Sequence, residues 1–119
     1  LPLFDRNQGS RRRAAAELLG ASAEVGRVAR RIQTEVSTAF VACQRAHRRL
    51  HELALPLAES RGRSAALARR LFDGGELGPT DLVLIERDAV GASRAVVTAR
   101  RELAGARWRL RVGSGWTGW

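Results

Sequence analysis

The chain has 119 residues, room for one small domain, and is 45% hydrophobic but only 5% aromatic; Ala, Leu and Val must therefore build its core by packing helix on helix. A single cysteine, Cys43, excludes an internal disulfide, and no run of about 18 uninterrupted apolar residues offers a membrane-spanning helix. The formal charge is +9, carried entirely by arginine, which favours acidic partners such as nucleic acid or anionic lipid, although the arginines lie scattered among Glu and Asp as on a solvated helical face.

Residues 1–9 open on a strand-like apolar run, Leu1-Pro2-Leu3-Phe4, and are expected to turn at Asn7-Gln8-Gly9. Ser10 follows as an N-cap, the residue type whose side-chain oxygen satisfies a free N–H of the first turn, and a long helix is predicted over 10–73. Gly20, Gly26 and Gly62 each weaken it by roughly 1 kcal/mol against Ala. Pro56 removes a backbone donor and should kink the helix or loosen one turn. Read as continuous, about 62 residues span on the order of 90 Å. Such a length calls for a coiled coil or a duct.

The spacing agrees. Apolar or small residues fall at Leu18, Ala21, Val25, Val28 and Ile32, then at Val36, Ala39, Cys43, Ala46, Leu50, Leu53 and Leu57, and again at Leu67 and Leu71. Steps of three and four alternate until two fours meet after Val28, a stutter that locally unwinds a left-handed supercoil. Ser60 and Ser64 occupy two seam positions, so the seam is weakest just after Pro56.

Asp73-Gly74-Gly75-Glu76-Leu77-Gly78-Pro79 breaks the pattern, giving a tip turn over 74–79 with proline suited to a first helical position. A second helix is predicted over 80–112. Its seam reads Leu82, Ile85, Ala89, Ala92, Val96, Ala99, Leu103, Ala106 and Leu110, and Val83, Val90, Val97 and Ala104 form a second stripe beside it. Two stripes imply more than one neighbour. Gly113-Ser114-Gly115 ends the helix and begins a tail over 113–119 that carries Trp116 and Trp119. The expected architecture is all-α: a long antiparallel coiled-coil hairpin with unequal arms, preceded by the end of a strand. The apolar seam in the upper half of the long arm then needs cover from outside this chain.

Few residues carry chemistry. Cys43, His47 and His51 lie at steps of four, a spacing at which neighbouring side chains can share zinc, but Cys43 and His51 are about 12 Å apart along the axis and Cys43 sits on the seam. Metal binding is not expected. Gly75 and Gly78 suit a tight turn, and Asp81 suits the positive end of the second helix. Arg11, Arg12 and Arg13 stand where the dipole disfavours cations. No nucleophile–base pair, phosphate loop or metal motif is present, so neither enzymatic activity nor a cofactor is expected.

Four ordered segments carry a family resemblance. Residues 1–9 are similar to the "PLFDRNQG" signature of TolC-type outer-membrane efflux proteins, especially their heavy-metal branch. Glu35-Val36 with Ala39-Phe40 resembles that family's "EV..AY", and Leu55-Pro56-Leu57-Ala58 its "LPLA". Phe72 to Glu76 with Thr80-Asp81-Leu82 resembles "Y..GE....DLL". The resemblance implies a homotrimer whose outer-membrane β-barrel continues into a periplasmic tube of helices, and it identifies this chain as a C-terminal fragment: the exit of the last barrel strand, then the second repeat's helices. It further implies that Phe72, Gly75, Glu76, Leu77 and Gly78 form the periplasmic tip that docks an adaptor protein, and that Asp81 belongs to the pore gate. Barrel-embedding lipid and, indirectly, an inner-membrane pump are the other implied partners; nucleic acid is not. Phe72 replaces the usual Tyr, Ser10 stands where Asn often follows, and the glycine-rich tip is more broken than usual.

Two functions follow. The first is a conduit for metal cations or small toxic molecules, spanning the outer membrane and periplasm of a Gram-negative cell. The second is a soluble Arg-rich hairpin that binds nucleic acid or acts as a scaffold, which requires a basic stripe along one face.

Overall fold

A computed structural model describes residues 5–115, with side-chain environments from residue 7 onward. Every element in it is helical. Helix α1 spans Asp5–Arg48, a π-turn spans Arg49–Ala54, α2 spans Leu55–Asp73 and α3 spans Pro79–Gly113. The chain divides into two compact units, Leu1–Ser37 and Thr38–Trp119.

In the first unit the described residues are helix throughout. The proposed strand residues 1–4 lie outside the described residues, but the turn expected at Asn7-Gln8-Gly9 does not form, because residues 5–9 belong to α1. Gly9 does not adopt a positive φ, so nothing there demands a turn, and the good helix formers Arg11 to Ala16 carry the helix back through it. Ser10 accordingly is not an N-cap; its Oγ donates to the Asn7 carbonyl at 3.2 Å inside the helix. Arg11, Arg12 and Arg13 stand past the first turn rather than at the helix start. Leu18, Val25, Val28 and Ile32 are exposed, held only by a helix with local ion pairs such as Arg31–Glu35 at 2.9 Å.

In the second unit two helical arms run antiparallel. Three ion pairs bridge them at increasing distance from the turn: Arg69–Glu86, Arg61–Asp88 at 3.6 Å and Arg49–Glu102 at 2.9 Å. In each the outgoing arm supplies arginine and the returning arm the acid. All are solvent-exposed, so each contributes at most about 1 kcal/mol; what they contribute is register. Between the arms lies a thin core of Ala46, Leu50 and Ala54 against Val96, Ala99, Leu103 and Ala106. Small alanines on both sides let the backbones approach closely, as composition required.

The seam of α3 lies where its spacing puts it. Ala92, Val96, Ala99, Leu103 and Ala106 are buried, and Leu82, Ile85, Ala89 and Leu110 are half-buried. The outgoing arm follows its expected seam through Cys43, Ala46 and Leu50 and then departs from it. Leu53, Leu57 and Leu67 remain 66%, 48% and 53% exposed, and Ser60 and Ser64 are exposed too, with Ser64 Oγ donating to the Ser60 carbonyl. Ala54, Ala58, Ala65 and Ala68 face inward instead. Each is one residue past an expected seam position.

The π-turn explains the slip. Pro56 has no N–H to offer the Glu52 carbonyl, and its ring crowds that carbonyl in an α-helix. The chain relieves the clash by widening the turn before it, and the Leu55 N–H reaches back five residues to the Leu50 carbonyl. One extra residue is thereby inserted, which rotates everything after it by about 100° relative to an unbroken helix. The loosened turn expected at Pro56 exists, and its consequence is a new inward face.

Candidate functional site

The turn between α2 and α3 is the part of the chain most distinct from a plain helix surface, and its geometry follows from its glycines. Leu71, Phe72 and Asp73 close α2. Gly75 takes φ +75°, a left-handed conformation that only glycine adopts freely. Its N–H donates to the Phe72 carbonyl at 2.9 Å, and the Glu76 N–H donates to the Leu71 carbonyl at 2.8 Å. This pair of bonds is a Schellman stop, in which the last carbonyls of the helix find donors after the chain has reversed.

Gly78 then turns extended, at φ −76° and ψ 157°, and caps α3 with its carbonyl, which accepts the Leu82 N–H at 3.2 Å. Pro79 is the first residue of α3, where a missing N–H costs nothing. The turn proper is therefore 74–78, one residue shorter than expected.

On this frame Phe72 and Glu76 are exposed and Leu77 is half-buried. Asp81 is exposed in the first turn of α3, near the positive end of that helix. Asp73, Glu76 and Asp81 are the ionisable groups between Arg70 and Glu86, so the tip of a strongly basic chain is acidic. All the residues expected to form a tip, Phe72, Gly75, Glu76, Leu77 and Gly78, do lie together, with Asp81 just after them. The arrangement has no paired acid and base. What it offers is a small-residue backbone open to close approach, an exposed aromatic ring and a local negative charge.

Cys43 is half-buried against the core, while His47 and His51 are exposed with ring centroids 4.3 Å apart. Among the described residues no three His, Cys, Asp or Glu side chains gather closely enough to hold a metal ion. Trp116 and Trp119 lie outside the described residues. Among these helices none is long and apolar enough to cross a membrane.

Sequence reasoning missed the three bridging ion pairs. Their signal was available once the turn was placed, since each Arg and its acid lie at similar distances along the chain from residues 74–78. It found the second stripe of α3 but missed the row beside it, where Arg87, Arg94 and Arg101 recur every seven residues and make no ion pair among the described residues. No family model, no curated protein and no solved structure matches this chain.

Proposed function

We propose that the chain is part of a trimeric outer-membrane efflux duct, contributing wall helices and a periplasmic tip to a tripartite export system. The observation that carries this reading is a helical hairpin with an exposed apolar seam, Leu18 through Ile32, on an arm that needs neighbours. Four sequence segments that resemble TolC-type proteins supply the identity of those neighbours. In this reading the conduit is passive. An inner-membrane pump supplies the energy, and metal cations or small toxic molecules pass from periplasm to exterior.

The tip does two jobs in this scheme. Phe72, Gly75, Glu76, Leu77 and Gly78 meet a periplasmic adaptor, whose own hairpin approaches the side-chain-free backbone closely. Asp81, repeated around a threefold axis, forms an acidic ring that draws cations toward the constriction. Neither job requires bond making or breaking.

Fractionation of source cells, probed with an antibody against a peptide of residues 72–82, tests the reading. A band in the outer membrane, several times heavier than 13.0 kDa and trimeric when unheated, is expected. A soluble band at the mass of this chain would overturn it.

A further inference from the structure

The outward side of α3 carries a built pattern that the hairpin does not use. Val83, Val90, Val97 and Ala104 run along it at seven-residue intervals, and all four are exposed. Arg87, Arg94 and Arg101 edge this line on one side, and Arg100 and Arg107 edge its lower half on the other. Among the described residues none of these arginines makes an ion pair. From Val90 to the end of α3 the only acid is Glu102, and Arg49 already engages it. An apolar line fenced by unpaired cations fits a helix whose own apolar line is edged by carboxylates.

This chain contains such a helix face. On α1, Leu18, Val25 and Ile32 recur at the same seven-residue interval, with Ala21 and Val28 beside them, and Leu18 is 72% exposed. Glu17 and Glu24 edge that stripe, again seven residues apart. Glu17 has no ion pair, and Glu24 has only a local one to Arg27, an exposed contact worth little and readily exchanged. The two patterns share a period of about 10.5 Å, so apolar residues and opposite charges can stay in step over two heptads.

We propose that the α3 line of one copy is covered by the α1 line of a second copy, with Arg94 and Arg101 facing Glu17 and Glu24. Both faces then bury apolar surface, and Arg94, Arg101 and Glu17, with Glu24 exchanged from its local pair with Arg27, become two pairs. Repetition of this unlike-to-unlike contact builds a closed ring if the rotation closes, and an open chain otherwise. The contact does not rest on the conduit reading, in which other helices of a larger duct would cover the α1 line instead.

Sedimentation equilibrium of the purified chain, nuclease-treated and in low salt, is the test. The wild type is expected to associate, and raised salt to weaken that association. R94E/R101E and E17R/E24R should each weaken it at least about tenfold, with helical content by circular dichroism unchanged. The chain carrying all four substitutions should recover it, because the charges are then exchanged rather than removed. A monomeric wild type, insensitivity to either double substitution, or no recovery in the fourfold variant would each overturn the proposal. So would an association that vanishes on nuclease treatment, which would mean nucleic acid bridges the copies. The cell fractionation above reads the conduit separately, so either idea can fail alone.

Discussion

Gly75 and Gly78 look alike in sequence and do different work. Gly75 holds a positive φ that a Cβ strains even in open space, and nothing stands within 4 Å of where one would be. Gly75→Ala should therefore destabilise the hairpin by about 1 kcal/mol or more through the backbone alone. Gly78 has an ordinary φ, and a Cβ there would meet only Asp81 Oδ2 at 3.8 Å, so Gly78→Ala should cost less, about 0.5 kcal/mol, for exchanging glycine for a poorer N-cap residue. Urea unfolding of both variants checks the contrast. A similar contrast tests the core. Leu103 is 5% exposed and part of the central cluster, so Leu103→Ala should cost about 2–3 kcal/mol. Leu53 belongs to the seam by spacing yet lies outside the core, and Leu53→Ala should cost less than about 0.5 kcal/mol. Equal losses would mean that the outgoing arm keeps its unbroken register.

At the scale of elements, the π-turn is what separates the sequence reading from the structure. Helix α3 was legible in full because from Pro79 to Gly113 no proline interrupts the ladder, and alternating threes and fours map directly onto one face. Apart from Leu71, which is half-buried beside the turn, the seam of the outgoing arm was legible only as far as Leu50. Beyond it, the choice between a kink, a gap and an inserted residue at Pro56 depends on which carbonyls find donors, and apolar spacing says nothing about that. The first residues misled for another reason: Asn7-Gln8-Gly9 has turn chemistry, yet turn propensity of about 1 kcal/mol is overridden where neighbouring residues favour helix. The tip was legible almost to the residue, since Gly75, Gly78 and Pro79 each have a single comfortable place in a helix-to-helix turn. The π-turn also yields a sharp expectation. Removing one residue from it, for example His51, restores α-helical spacing there while leaving both flanking faces in register. That deletion should cost less than removing one exposed residue such as Arg63 from α2, which rotates the rest of that helix away from α3. Thermal unfolding of the two deletion variants compares them, and the Arg63 deletion should melt at the lower temperature.

At the scale of the whole molecule, cohesion is unevenly distributed. Residues 46–69 and 86–106 share a core and the bridging ion pairs, whereas the described part of the first unit buries no side chain and relies on helix propensity. Helices without tertiary cover are marginal in water, because each opening exposes little that was hidden. Amide hydrogen exchange on the isolated chain in dilute solution should therefore be fast across residues 10–35 and slowest across 92–106. Concentration then decides what kind of surface α1 presents. If Leu18, Val25 and Ile32 meet α3 of a second copy, protection of residues 17–32 should rise with protein concentration, since association stabilises the bound form by mass action. Protection of residues 92–106 should move much less, their core already being covered within one copy. A rise at both places together would indicate general aggregation of a sticky hairpin. A profile for residues 17–32 that stays fast at every concentration, and becomes protected only in outer-membrane extracts, would instead assign the cover to a larger duct.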